Sequence, residues 1–324
     1  MRMRAPGRTR RGCAAIVAGF AALILTGGDA FGRNEIAVAV HHAFGTRRHF
    51  TIEGRVLERE DGRAVRPSDS RTTNFLRTVR SLHAEEQKGV PLRLRFVNHT
   101  WELRSDSEGY FALQGETPPQ AAPGWHSVQI EVPGDPARTE AKVLIVPDGV
   151  TIGVISDIDD TVVVSEVGDR TRLLAHTFLE NALQRRAVPG VAALYRGIAA
   201  RNAHPESAPV IYLTAAPRHL LPAIGEFLAH NNFPVGPIIA KKVTNGSGGD
   251  PLLDQERYKL ERIEAILAEL PDVRFVLSGD DGERDPEVYR KIREKHPSRV
   301  EAVYIRRVSG DPSRPTYEDQ LTPP

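Results

Sequence analysis

The sequence predicts an α/β fold whose second half is a parallel sheet covered by helices, preceded by a small β-sandwich. Three observations predict it. From about residue 149 onward, apolar strand-like runs alternate with helical stretches, the pattern of a parallel sheet. Residues 31–148 instead carry short strands of alternating apolar and polar residues separated by turns. The chain of 324 residues is 40% hydrophobic and 26% charged, which suits a globular protein of about two domains.

The first thirty residues stand apart. Five arginines (Arg2, Arg4, Arg8, Arg10, Arg11) precede an uncharged stretch from Cys13 to Leu25, and small residues follow to Ala30. A basic start, an apolar middle and a small-residue exit predict a secretory signal at residues 1–30, with an uncleaved N-terminal anchor as the alternative. Arg10-Arg11 is a weak twin-arginine hint. The apolar run is shorter than the roughly 20 residues of a membrane span. The expected location is exported: periplasmic or membrane-associated, in a bacterial-style setting. Without residues 1–30, Lys plus Arg falls from 43 to 38 and Asp plus Glu from 42 to 41, a formal charge of about −3. That balance argues against nucleic acid as a partner, which asks for a clustered basic surface. The single cysteine, Cys13, lies in the same segment, so the mature chain would have neither a disulfide framework nor a cysteine metal site.

In the first half the predicted strands are 36–40, 50–57, 92–97, 110–113, 127–132 and 141–146. Leu92, Leu94 and Phe96 against Arg93 and Arg95 show the alternation most clearly. A helical stripe of Phe75, Leu76, Val79 and Leu82 interrupts the strands. Trp101 and Trp125 are expected in the core of this half rather than against lipid. In the second half, strands are predicted at 151–156, 210–214, 237–240, 273–278 and 300–305. Helices are expected near 169–187, 190–202, 217–231, 254–270 and 285–296. Arg170, Arg172, Arg185 and Arg186 read as a solvated helix face, with anionic lipid as the other use. Residues 244–251 read as a flexible loop, and the Pro-rich tail 311–324 as a poorly ordered end.

Chemistry concentrates at one edge of the predicted parallel sheet. The first strand runs into Asp157-Ile158-Asp159-Asp160-Thr161, the second ends at Thr214, and the fourth ends at Gly279-Asp280-Asp281. Ligands of open α/β sheets bind where strand C-termini converge. Carboxylates packed this densely repel one another unless something positive sits among them. A divalent cation is the usual answer, and hard oxygen donors select Mg²⁺, with Asp157 and Asp280 as protein ligands. Beside such an ion and a phosphate, a carboxylate can act as a covalent nucleophile, and a second acid two residues on can donate and then accept a proton. The eleven histidines are scattered, and none pair at zinc spacing.

These motifs resemble the haloacid dehalogenase-like (HAD) superfamily: Val154-Ile-Ser-Asp157-Ile-Asp159-Asp-Thr161, Ile211-Tyr-Leu-Thr214, a lysine ahead of the fourth strand, and Gly279-Asp280-Asp281-Gly-Glu-Arg-Asp285. The phrases Tyr212-Leu-Thr-Ala-Ala-Pro217, Tyr258-Lys-Leu-Glu-Arg-Ile263 and Val188-Pro-Gly190 resemble the actin-patch-type phosphatidate phosphatase family more narrowly, over roughly residues 36–308. Ala216 stands where that family more often has Ser.

The resemblance implies a Mg²⁺-dependent phosphatase acting on phosphatidate, with contact to a membrane surface. It implies Asp157 as nucleophile, Asp159 as proton shuttle, Thr214 as phosphoryl hydrogen-bond donor and Lys259 as phosphate lysine. It implies a metal shell of Asp157, the Asp159 carbonyl and Asp280, with Asp281 or Asp285 orienting it. Lys241 and Lys242 compete with Lys259, whose placement before the fourth strand favours it. Asp160 is expected to cap the following turn, and Thr161 to hold the loop. Asp157 and Asp159 as mere turn acids, and Thr214 as an ordinary strand end, are the structural alternatives.

A soluble phosphomonoester is the alternative substrate. A phosphoryl-receiver domain fits less well, because receivers carry the acceptor on the third strand. A binding module that retains only the fold is the third class. Oligomeric state is left open.

Overall fold

Two sheets carry the chain, and side-chain alternation explains the first. In the computed structural model the described residues are 36–58, 88–136, 138–149, 151–164, 183–242 and 254–323. The first sheet is formed by β1 (Ile36–Gly45), β2 (His49–Glu58), β3 (Pro91–Phe96), β4 (His99–Arg104), β5 (Tyr110–Glu116), β6 (Gly124–Glu131) and β7 (Arg138–Ile145). In β3, Leu92, Leu94 and Phe96 are buried, and their alternates Arg93 and Arg95 are not. They meet Phe50, Ile52, Val128, Ile130 and Val143 in one core. A sandwich of two sheets is expected from the sequence, but hydrogen bonding links all seven strands in the single order β4-β3-β6-β7-β1-β2-β5. The sheet curls nearly into a barrel. Trp101 of edge strand β4 meets Phe50 edge-on at 5.4 Å, and a Cβ on Gly115 of edge strand β5 would lie 3.5 Å from its indole nitrogen. The expected helix at residues 73–84 lies outside the described residues.

The second sheet is built from β8 (Thr151–Ser156), β9 (Val210–Pro217), β10 (Ile238–Lys241), β11 (Val273–Asp280), β12 (Val300–Arg306) and the short β13 (Gln320–Leu321). Its order is β10-β9-β8-β11-β12-β13, and every pairing is parallel. Chain order reverses on either side of β8, so a crevice opens at its C-terminal end, between β9 and β11. The helices are α1 (Val191–Ala199), α2 (Leu221–His230), α3 (Gln255–Glu269) and α4 (Asp285–Lys295). Gly190 starts α1 at φ +82°, a left-handed conformation that favours glycine. Asp254 caps α3 by accepting from the Arg257 amide at 2.9 Å. Tyr258, Lys259, Ile263, Ile266 and Leu267 then form its buried stripe. The expected helix near 169–187 falls mostly outside the described residues, as does the loop at 244–251.

The Pro-rich tail departs from the poor order its composition suggests. Gln320 and Leu321 pair with Val303 and Tyr304 of β12, and the Arg290 guanidinium lies 4.5 Å from the Tyr317 ring. The prolines limit regular structure here to the short β13 without preventing anchoring.

The two sheets share a core. Phe44, Leu144 and the adjoining Val146 from the first pack with Ile239 of the second and with Tyr258 and Ile266 of α3. Around them Arg218 reaches Glu53 at 3.0 Å, Thr51 donates to Glu269 at 3.1 Å, and Lys242 reaches Asp106 at 3.1 Å. A cavity of about 170 Å³ remains at this junction, lined by His41, His42, Glu53, Arg218 and Glu269 among others. His41 Nε2 is buried there with no hydrogen-bond partner among the described residues. Burial first, and the neighbouring Arg218, His42 and Arg55 next, hold the His41 pKa well below the ordinary 6.5. The folded state therefore keeps His41 neutral, whereas the unfolded chain protonates near pH 6.5. Stability is full above that pH and falls as pH drops through the folded pKa. His41→Leu should lose this dependence: between pH 7.5 and 5 the midpoint of thermal unfolding should fall further in wild type than in the variant.

Candidate active site

Two adjacent strands deliver the acids. β8 and β11 pair in register at Ser156 and Ser278, and the Asp157 amide continues the ladder to the Ser278 carbonyl at 2.8 Å. Asp157 and Asp280 thus emerge side by side, and Asp285 joins them from the first turn of α4. One carboxylate oxygen from each of the three lies within 4.8 Å of the others, and all three residues are buried. Gly279 makes this possible, since a Cβ there would overlap the Asp285 carboxylate. Beneath the acids, Tyr195 of α1 bonds Ser156 Oγ at 2.6 Å and Ser278 Oγ at 2.9 Å, tying the two strands together.

Lys259 brings the positive charge. Its Nζ lies 2.9 Å from Asp157, 2.5 Å from Asp285 and 3.2 Å from Glu283. Burial opposes its charge, but Asp157, Asp285 and Glu283 outweigh that and hold its pKa well above the usual lysine value. The competing lysines lie elsewhere: Lys241 packs over the Tyr258 ring at 5.1 Å, and Lys242 pairs with Asp106 of the turn between β4 and β5. Glu283 is a site residue that sequence reasoning missed, although it stands in the same acidic phrase as Asp285.

The remaining motif residues divide by position. Thr214, in the second half of β9, donates to Asp159 Oδ2 at 3.4 Å and accepts from the Ala216 amide at 3.0 Å. Burial, reinforced by Glu283 and opposed by Arg185, raises the Asp159 pKa to about 6. Thr161 lies 3.5 Å from Asp280 Oδ2. Asp160 has φ +54°, and Arg306 both bonds its carbonyl at 2.6 Å and sits 3.7 Å from its carboxylate. Asp160 and Arg306 thus brace the loop that presents Asp157 and Asp159.

Asp281 stands apart from the three grouped acids. As a candidate for the metal shell it was the equal of Asp285, but its carboxylate turns away from the acid cluster. It accepts from the Val308 and Ser309 amides at 2.6 and 2.9 Å and from Ser309 Oγ at 3.1 Å. Partial burial alone would raise its pKa, but these donors hold it below the usual carboxylate value. Asp285 is the one of the two that faces Asp157 and Asp280.

A cation fits this cluster by charge. Burial pushes the pKa values of Asp157, Asp280 and Asp285 upward; Lys259 opposes the rise without cancelling it, and repulsion from Glu283, and from Asp285 on the other two, adds to it. Asp157 Oδ2 is buried with no hydrogen-bond partner among the described residues. An added positive charge would satisfy that oxygen and let all three acids ionise.

A parallel sheet with a carboxylate–lysine–carboxylate cluster at its switch point defines an α/β protein with an enzyme-like site. Residues 152–307 match the family model described as Phosphatidate phosphatase APP1, catalytic domain. These residues are similar to an APP1-type catalytic domain. Phosphatidate phosphatase APP1 of Saccharomyces cerevisiae is 28% identical over 225 residues, covering 67% of this chain and 36% of its own length. An uncharacterized protein of Schizosaccharomyces pombe is 29% identical over 160 residues, covering 49% of this chain and 26% of its own. The chain therefore spans about a third of the first relative and a quarter of the second. Among solved structures, the Pnkp1/Rnl/Hen1 complex aligns with 56% of this chain and 53% of its own at 14% identity, with a TM-score of 0.33.

Proposed function

We propose that this chain is a Mg²⁺-dependent HAD-type phosphatase that hydrolyses phosphatidate or a related lipid phosphate through an aspartyl-phosphate. One observation carries the reading: Asp157 stands at a buried strand end, held by Lys259, with one carboxylate oxygen unpaired among the described residues. The name of the S. cerevisiae relative favours phosphatidate over other esters. The basic and then apolar start of the chain supports export, which would give the site access to a membrane surface.

Asp157, Asp280 and Asp285 would hold Mg²⁺, which would neutralise charge on the phosphoryl oxygens. The chain's own groups perform the rest. Asp157 attacks phosphorus; its oxygen–phosphorus bond forms as the ester oxygen leaves. Asp159, protonated below about pH 6, gives its proton to that oxygen. Thr214 donates to a phosphoryl oxygen once its bond to Asp159 is released. Lys259 favours the ionised form of Asp157 and orients it. Asp159 then takes a proton from water, which attacks phosphorus, and the bond to Asp157 breaks to release phosphate. Positioning and fixed charge supply most of the acceleration.

The substrate test compares phosphate release from phosphatidate in mixed micelles and from soluble phosphomonoesters, with and without Mg²⁺. The expected result is Mg²⁺-dependent turnover with kcat/KM at least about tenfold higher on the lipid, worth about 1.4 kcal/mol. Turnover confined to soluble esters would remove the lipid and leave the mechanism.

A further inference from the structure

The segment after β12 returns to the loop that joins β11 to α4. Arg314 holds that loop at two points and the first turn of α4 at a third. Its Nε donates to the Asp281 carbonyl at 2.8 Å and its Nη2 to the Glu283 carbonyl, while the two Nη groups reach Glu287 at 2.9 and 3.2 Å. A planar guanidinium can make this set in one fixed geometry, which an ammonium cannot. Earlier in the same segment, the Val308 and Ser309 amides fix the Asp281 carboxylate. Further along, Gln320 donates to the Pro286 carbonyl at 2.9 Å. The loop so enclosed begins at Asp280, carries Glu283 and ends at Asp285.

We infer that residues 307–321 form a strap in which Arg314 is a positioning residue for the cation-holding acids. Arg314 acts through the backbone of Asp281 and Glu283 and the side chain of Glu287, setting the spacing between Asp280 and Asp285 from outside the site. This rests on the reading that those acids hold a divalent cation. A purely structural role would lower stability and leave cation affinity alone. A positioning role changes the affinity, because outer contacts that orient metal ligands are typically worth about 10–100-fold in binding.

Mg²⁺ is titrated by calorimetry into the full chain, into Arg314→Gln and into Glu287→Ala, and phosphate release is followed against Mg²⁺ on the same samples. The expected result is about tenfold weaker Mg²⁺ binding in both variants, matched by an equal rise in the Mg²⁺ needed for half-maximal turnover. The kcat at saturating Mg²⁺ should stay within about twofold, since no reacting group is touched. Arg314→Lys, which keeps the charge without the fork, should recover only part of the affinity. Wild-type affinity in both variants overturns the strap's role while the metal reading stands. Should Arg314→Gln fail to fold, Glu287→Ala decides by the same criterion. A wild-type chain that binds no Mg²⁺ overturns the metal reading and the strap with it.

Discussion

Asp157→Asn is expected to lower turnover by at least about 10³-fold while the chain stays folded, because an amide cannot replace a carboxylate nucleophile. The change is nearly isosteric, and Lys259 keeps Asp285 and Glu283 as partners. The variant should therefore melt cooperatively and bind substrate, and the loss should fall on kcat rather than KM. Single-turnover phosphate release beside a thermal melt separates the two effects. A variant that keeps more than a few per cent of Mg²⁺-dependent turnover would mean that another group attacks.

Lys259→Met should produce the largest loss of stability. Lys259 is 1% exposed, and it is the cation among Asp157, Asp285 and Glu283. Removing one member of a buried charge cluster typically costs about 3–5 kcal/mol, because the partners stay buried without compensation. For a chain of this size that is a fall of roughly 10 °C in the unfolding midpoint. The deficit has a pH signature. The folded pKa values of Asp157, Asp280 and Asp285 lie above their ordinary values, so the folded state binds the extra protons and gains stability as pH falls. Without Lys259 that rise is larger still. The gap between variant and wild type should therefore narrow from pH 8 to pH 6, and Mg²⁺ should narrow it further. A gap that does not change with pH or Mg²⁺ would show that Lys259 acts by packing alone.

What was legible in the sequence follows from local physics. Runs such as 151–156 and 273–278 are apolar because both faces of a parallel strand are covered, and their ends place Asp157 and Asp280 together. Lys259 was legible only in part. A lysine inside the stripe Tyr258, Ile263, Ile266 and Leu267 signals a buried charge, but its partners come from β8 and α4. Asp281 and Asp285 could not be separated, because what turns Asp281 away is a pair of amides 27 and 28 residues later. β4 was missed because His99-Thr-Trp-Glu-Leu-Arg104 is an edge strand with little burial to impose alternation. The single curled sheet was hidden for a related reason. Strand-to-strand register is non-local, and short alternating strands read the same in a sandwich and in a barrel.

The central claim is that Asp157 carries the phosphoryl group. Borohydride reduces an acyl phosphate, so treating the enzyme during turnover with Mg²⁺ should convert Asp157 to homoserine, read by peptide mass spectrometry. The account predicts that this product appears at position 157, depends on substrate and Mg²⁺, and is absent from Asp157→Asn. Turnover with no modification at Asp157, or with modification at another acid, would contradict it.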